Sequence, residues 1–327
     1  MSELLVHNLL SPMVLAFVLG AIAVLVKSDL RIPDGMYQGL SIYLLFAIGL
    51  RGGGELAETP LAALWRPALI TVTLGFATPL WVFAILKYVG RFKGVDAAAL
   101  AAHYGSVSAV TFTTALLFLE GAGAKAEGFM PALVALLELP AILVALLLGR
   151  RAQTHVASTA VSLKEILREV VVGKASLLLL GGVAIGWASG KHGVEQVAPL
   201  FLTPFKGVLV LFLLEMGMVA ARRFPDFRQA GWFLIAFAVV MPIIHGALGV
   251  VLGQVAGLSI GGATVLGTMA ASASYIAAPI AVRSALPEAN PGYYVTASLA
   301  VTFPFNLALG LPLYFAIAKV AFGGGSP

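Results

Sequence analysis

Ala102-His103-Tyr104-Gly105-Ser106-Val107-Ser108-Ala109-Val110-Thr111-Phe112 sits inside an otherwise apolar segment, 97–119, that is long enough to cross a lipid bilayer. A near-twin, Met269-Ala270-Ala271-Ser272-Ala273-Ser274-Tyr275-Ile276-Ala277-Ala278-Pro279, sits inside 258–286. Both carry Ser-x-Ser, and the offset 272 − 106 = 166 is about half of the 327 residues. Gly105 tolerates backbone dihedrals that other residues resist, so the helix is expected to break there. Ser108 then caps a half-helix running on to Leu119, and Pro279 fits the first turns of a second one. The N–H groups at such half-helix starts carry partial positive charge and suit an anion. Small Ser and Ala residues also let helices pack closely, which is the structural reading of either motif alone. Two of them at matching positions favour a binding site, as in secondary transporters. The residues expected to hold the anion are Gly105, Ser106, Ser108, Ser272 and Ser274.

The composition agrees with a membrane protein. The chain is 60% apolar and 11% charged, with a mean hydropathy of +0.99. It has no cysteine, which excludes disulfides, thiolate metal sites and thiol catalysis. The net charge of +5 is concentrated in loops, which argues against nucleic acid as a partner. No basic region precedes Leu4–Leu10, so no cleaved signal peptide is expected.

Ten apolar segments are candidates for crossing: 10–27, 35–50, 66–89, 97–119, 129–149, 174–190, 199–221, 229–256, 258–286 and 292–321. The only long polar link between them is 150–173. Within it, the apolar residues 163, 166, 167, 170 and 171 form a helical stripe opposite Lys164, Glu165, Arg168 and Glu169. This predicts an amphipathic helix lying on the membrane surface, or a dock for a soluble partner. Counted on alternate sides, fourteen Lys and Arg fall with this link and six fall opposite. The richer side is expected in the cytoplasm of a plasma (inner) membrane protein, with both termini outside.

The two halves repeat. Gly49 matches Gly217, Pro79 matches Pro242, and Pro140 matches Pro304, at offsets of 168, 163 and 164. Five helices per half is an odd number, so the second half enters the membrane upside down. The fold expected is therefore all-α: ten transmembrane helices in two inverted repeats of five, with broken helices meeting at the bilayer midplane. The first repeat spans 1–149, the cytoplasmic linker 150–173 and the second repeat 174–327.

Glu138, in Leu136-Leu137-Glu138-Leu139-Pro140, is a carboxylate in an apolar segment. At that depth it costs about 2.5–3.5 kcal/mol and needs a partner, a proton or a cation. Pro140 frees backbone carbonyls beside it. With the hydroxyls of Thr111 and Thr302 and the amide of Asn306, it offers hard oxygen ligands for a small cation, Na+. The structural alternative is a protonated Glu138 bonded to a neighbouring helix. Glu215 reads evenly as structure or function, and His103 and His245 read as packing residues. Gly182-x-x-x-Gly186, Gly249-x-x-x-Gly253 and Gly257-x-x-x-Gly261 are small-residue packing faces.

The stretch from His245-Gly246 through Gly261-Gly262, Ser272-Ala273-Ser274 and Pro287-Glu288-Ala289-Asn290-Pro291 to Pro304 resembles the sodium-dependent bicarbonate transporter family. So do Arg51-Gly52-Gly53-Gly54, Gly105-Ser106-Val107-Ser108 and Met216-Gly217-Met218, and the resemblance covers almost the whole chain. It implies a sodium-coupled importer of bicarbonate with a core domain moving against a gate domain, commonly as a homotrimer. It also implies anion binding at the crossing of two broken helices and an acidic residue at the Glu138 position. The resemblance further implies a small, soluble, nucleotide-sensing signal protein as a partner on the cytoplasmic side. The family's second serine motif continues with an aspartate and a glycine, where this chain has Tyr275 and Ala277, and its cytoplasmic link is longer. Two rival readings are a symporter of a small organic carboxylate and a membrane sensor signalling through 150–173. No nucleophile–base arrangement or metal cluster points to an enzyme.

Overall fold

The computed structural model of the chain describes residues 2–152, 168 and 171–324, and every regular element among these is a helix, with no strand. The helix expected over 162–172 lies outside the described residues, apart from 168, 171 and 172. The helices are α1 (Ser2–Leu9), α2 (Pro12–Leu25), α3 (Asp34–Ala57), α4 (Leu61–Ala84, extended by a π-helical turn to Val89), α5 (Gly94–Gly105), α6 (Ala109–Gly121) and α7 (Met130–Ala152). They continue as α8 (Lys174–Phe201), α9 (Phe205–Arg222), α10 (Phe227–Val255), α11 (Ile260–Ala271), α12 (Ala277–Ala285) and α13 (Pro291–Ala321).

Among the described residues, six spans are long and apolar enough to cross a membrane: Asp34–Ala57, Leu61–Val89, Gly94–Gly121, Met130–Ala152, Gly231–Val255 and Pro291–Ala321. A seventh follows if α8 and α9, bent by 52° at their junction, are taken as one. Pro12–Leu25 and Ile260–Ala271 are shorter apolar helices. The protein is thus a multi-pass membrane protein, and a helix lies in each of the ten apolar segments.

Local chemistry explains several boundaries. Ser11 caps α2 by accepting the Val14 N–H at 3.4 Å, and Pro12 occupies a first-turn position where its missing N–H costs nothing. Within α8, Gly190 takes φ 64°, ψ −178°, so the helix turns there and starts again. The apolar segment 199–221 consequently begins as the end of α8 and becomes a new helix only at Phe205. In α13, Thr296–Thr302 and Asn306–Gly310 are π-helical turns next to Pro304 and Pro312, which lack the N–H that a regular turn requires.

Helices pack through glycine. A Cβ on Gly49 would lie 2.5 Å from the Leu179 carbonyl and 3.0 Å from Gly182 Cα, and one on Gly53 would run into the Val183 carbonyl. Gly182 and Gly186 face them, so α3 and α8 touch backbone to backbone. Gly20 and Gly217 do the same between α2 and α9. Gly249 and Gly253 bring α10 onto Gly267 and Ala263 of α11. In lipid, where apolar side chains gain little by leaving the solvent, such close van der Waals contact is what holds helices together. α4, α5 and α7 form a further packed group, with Gly75 of α4 against Pro140 of α7.

Candidate functional site

α5 and α11 are twelve-residue helices buried along almost their whole length, and both end at a serine motif. Ser106 and Ser272, the residues that follow them, take extended conformations, with φ −89°, ψ 174° and φ −80°, ψ 162°. Neither helix carries a charge able to reach water in its last turns. Each break therefore has to satisfy its backbone inside the protein.

The breaks satisfy each other. The Ser108 N–H donates to Ser272 Oγ at 2.9 Å, and Ser272 Oγ donates to the Met269 carbonyl at 2.8 Å. In the other direction, the Ser274 N–H donates to the His103 carbonyl at 2.8 Å. Ser108 Oγ caps α6 by accepting the Thr111 N–H at 3.2 Å, and Ser274 Oγ accepts the Ala278 N–H of α12 at 3.3 Å. All four serines are buried. Ser106 is the exception in its bonding: its hydroxyl is buried and has no hydrogen-bond partner. Among the described residues, the N–H groups of Val107, Ala273 and Tyr275 meet no backbone acceptor. The crossing thus concentrates donors, and the orphan hydroxyl adds one more.

Gly105 is needed for a different reason from the one its sequence position suggests. It is the last helical residue of α5 and has no positive φ. A Cβ there would lie 2.6 Å from Pro79 Cγ and 3.1 Å from Ala141 Cβ. The absence of a side chain lets α4 and α7 close on the break.

Two of the four expected cation ligands are bonded to other residues of the protein. Thr302 Oγ1 donates to the Ala238 carbonyl at 2.6 Å and so accepts the Tyr104 hydroxyl at 2.7 Å. Asn306 Nδ2 donates to the Ala271 carbonyl at 2.9 Å, and its Oδ1 accepts from Tyr314 at 2.7 Å. Both residues therefore brace helix ends beside the breaks. Thr111 is buried on the first turn of α6. Glu138 lies on α7 three residues before Ala141, 4% exposed, and its Oε1 has no hydrogen-bond partner. No hydrogen bond joins it to Thr111, Thr302 or Asn306. Among the described residues, no group of three His, Asp or Glu gathers at one point.

Several supporting residues leave no signal in a sequence pattern. Asn8 Nδ2 donates to the carbonyls of Leu307 and Ala308 at 2.9 and 3.0 Å, which the π-helical turn of α13 frees. Trp81 Nε1 donates to His245 Nε2 at 2.8 Å and joins α4 to α10. The His103 ring stacks on Tyr294 with centroids 4.5 Å apart, and its Nδ1 donates to the Ala99 carbonyl at 2.7 Å. Asn290 caps α13 through the Gly292 N–H at 2.9 Å, while its own N–H donates to Asp96 at 2.8 Å. That cap could have been read from Asn290-Pro291, which is a helix-start signature. Tyr275, where the family resemblance places an aspartate, has a buried hydroxyl with no hydrogen-bond partner. Its ring meets Phe303 edge-on at 5.1 Å.

No curated protein matches the chain. The model of the Na+-dependent bicarbonate transporter superfamily matches residues 12–319 and so takes in both breaks. The chain belongs to the Na+-dependent bicarbonate transporter superfamily.

Proposed function

We propose that the chain is a sodium-coupled symporter that imports bicarbonate by alternating access and holds the anion between the breaks at 106–108 and 272–276. The observation that carries this reading is the crossing itself. Two helix interruptions are bonded to each other through Ser108, Ser272 and Ser274, with the buried Ser106 hydroxyl left over.

The charge balance supports sodium coupling. Among the described residues no Lys or Arg is buried. An uncompensated anion in a medium of low dielectric costs many kcal/mol, and helix N-termini supply only about half a charge each. A cation that travels with the anion restores the balance. Glu138, with its unpartnered oxygen, is the residue we assign to that cation, with Thr111, Thr302 and Asn306 as the candidate neutral oxygens.

The space at the site supports alternating access. The cavity beside the breaks, lined by Ala109, Val110 and Ile276 on one side and Ser41, Leu44 and Phe212 on the other, measures about 10 Å³. That is room for one water and not for bicarbonate. Loading the site therefore requires α4–α7 and α10–α13, as a core, to shift against α2, α3, α8 and α9, as a gate. α5 and α11 start 260 − 94 = 166 residues apart and end 271 − 105 = 166 apart. Trp81 and His245, 164 apart, touch each other. Both regularities fit two inverted repeats of five crossings. Large apolar side chains exposed on α2, α4 and α8, among them Leu15, Leu69 and Trp187, would face lipid or other copies in a homotrimer.

The test is uptake of labelled bicarbonate into liposomes under an imposed sodium gradient. Uptake that needs sodium supports the reading. Folded protein that moves no bicarbonate removes the substrate, and competition by acetate would redirect it to organic carboxylates.

A further inference from the structure

A second cavity, of about 70 Å³, opens where α3, α6 and the start of α9 meet. Its rim carries Arg51, Glu120 and Lys206. Its floor includes Ile48 and Thr113, and these same two residues line the small cavity beside the helix breaks. The two cavities are therefore neighbours, and together they lead from a charged rim to Ala109 and Val110 at the start of α6.

The rim has an uneven charge. Lys206 Nζ lies 2.9 Å from Glu120 Oε1, and both side chains are more than half exposed, so the pair is weakly held and parts readily. Arg51 is exposed, and among the described residues no carboxylate pairs with it. Two cations against one carboxylate leave a net positive mouth. A low-dielectric cleft with one sign of charge focuses its field and concentrates the opposite ion.

We propose that this mouth is an anion-collecting vestibule, in which Arg51 and Lys206 draw a small oxyanion into the cleft and Glu120 limits how tightly it is held there. The proposal rests on the reading of the protein as an anion carrier, but its charge dependence can be measured without transport. Arg51 acts on capture, so Arg51→Gln raises the KM for the anion and leaves turnover at saturation unchanged. Glu120→Gln acts in the opposite direction.

The chain has no cysteine, so a single introduced thiol is a clean reporter. Thr113→Cys, in purified protein, is treated with two thiosulfonate reagents of similar size, one bearing a sulfonate and one a trimethylammonium group. The sulfonate reagent is expected to react faster. Arg51→Gln should slow it by about tenfold at low ionic strength, and the difference should shrink as salt rises. If Thr113→Cys does not fold, Leu116→Cys in the same cavity serves. Equal rates for the two reagents, or no effect of Arg51→Gln, overturn the vestibule. Charge-dependent labelling in a protein that moves no bicarbonate would keep the vestibule and remove the substrate assignment.

Discussion

The Ser108 N–H and the Ser272 hydroxyl are 2.9 Å apart, and the hydroxyl hands its own proton to the Met269 carbonyl. One side chain thus ties the start of α6 to the end of α11. Ser272→Ala removes the acceptor and strands a buried N–H, at a cost of about 1–3 kcal/mol. The variant should lose both thermal stability and anion uptake, and a detergent melting curve run beside the uptake assay checks the pairing of the two losses.

Ser106 makes the opposite case. Its hydroxyl is buried without a partner in the protein, so Ser106→Ala removes nothing that holds the fold together. The melting temperature should stay the same or rise slightly. Anion affinity should fall by about 10-fold to 100-fold, the value of one hydrogen bond to a charged ligand. Unchanged uptake would take Ser106 out of the binding site.

The breaks are legible because small polar residues stand out in apolar segments, and their duplication 166 residues apart is a property of the sequence. Glycine spacing marks the Gly182/Gly186 face for the same reason. The role of Gly105 is not legible, because the clash it avoids is with Pro79 and Ala141, on two other helices. Asn8 with Leu307, and Trp81 with His245, are contacts across 299 and 164 residues that no local pattern in the chain announces. Gly190 looks like any other glycine of a membrane helix until its positive φ is seen.

The glycine contacts can be tested position by position. Gly53→Ala places a methyl group against the Val183 carbonyl and 2.7 Å from the Trp187 N, and such overpacking costs about 1–3 kcal/mol. Gly181, on α8, has open space for 4 Å around the position a methyl group would take, and alanine favours the helix by about 1 kcal/mol. Gly53→Ala should lower the unfolding temperature and Gly181→Ala should not. Equal effects would mean that α3 and α8 do not meet through these glycines.

Tyr275 separates this chain from the aspartate of the resemblance. Its buried hydroxyl has no hydrogen-bond partner, so Tyr275→Phe removes an unsatisfied group and keeps the ring on Phe303. Stability should hold or improve. Uptake should fall if the hydroxyl meets the anion, and initial rates across a bicarbonate series measure that directly.

Glu138 carries the cation half of the proposal. A buried carboxylate oxygen without a partner is costly in lipid, and the cost falls when a cation or proton arrives. Glu138→Gln keeps the shape and removes the charge, so relief of that cost should leave the empty protein as stable as before or more so. The same change should raise the sodium concentration needed for half-maximal uptake by at least about tenfold, since a charged oxygen ligand is exchanged for a neutral one. Anion affinity measured at saturating sodium should change little. Sodium also protects a protein that binds it in the folded state, by an amount that grows with concentration over Kd. Melting temperature against sodium should therefore climb in the native chain and stay flat in Glu138→Gln. A climb of equal size in both would assign the cation to other oxygens, and Thr302 and Asn306, already bonded to Ala238, Tyr104, Ala271 and Tyr314, would be the next to substitute.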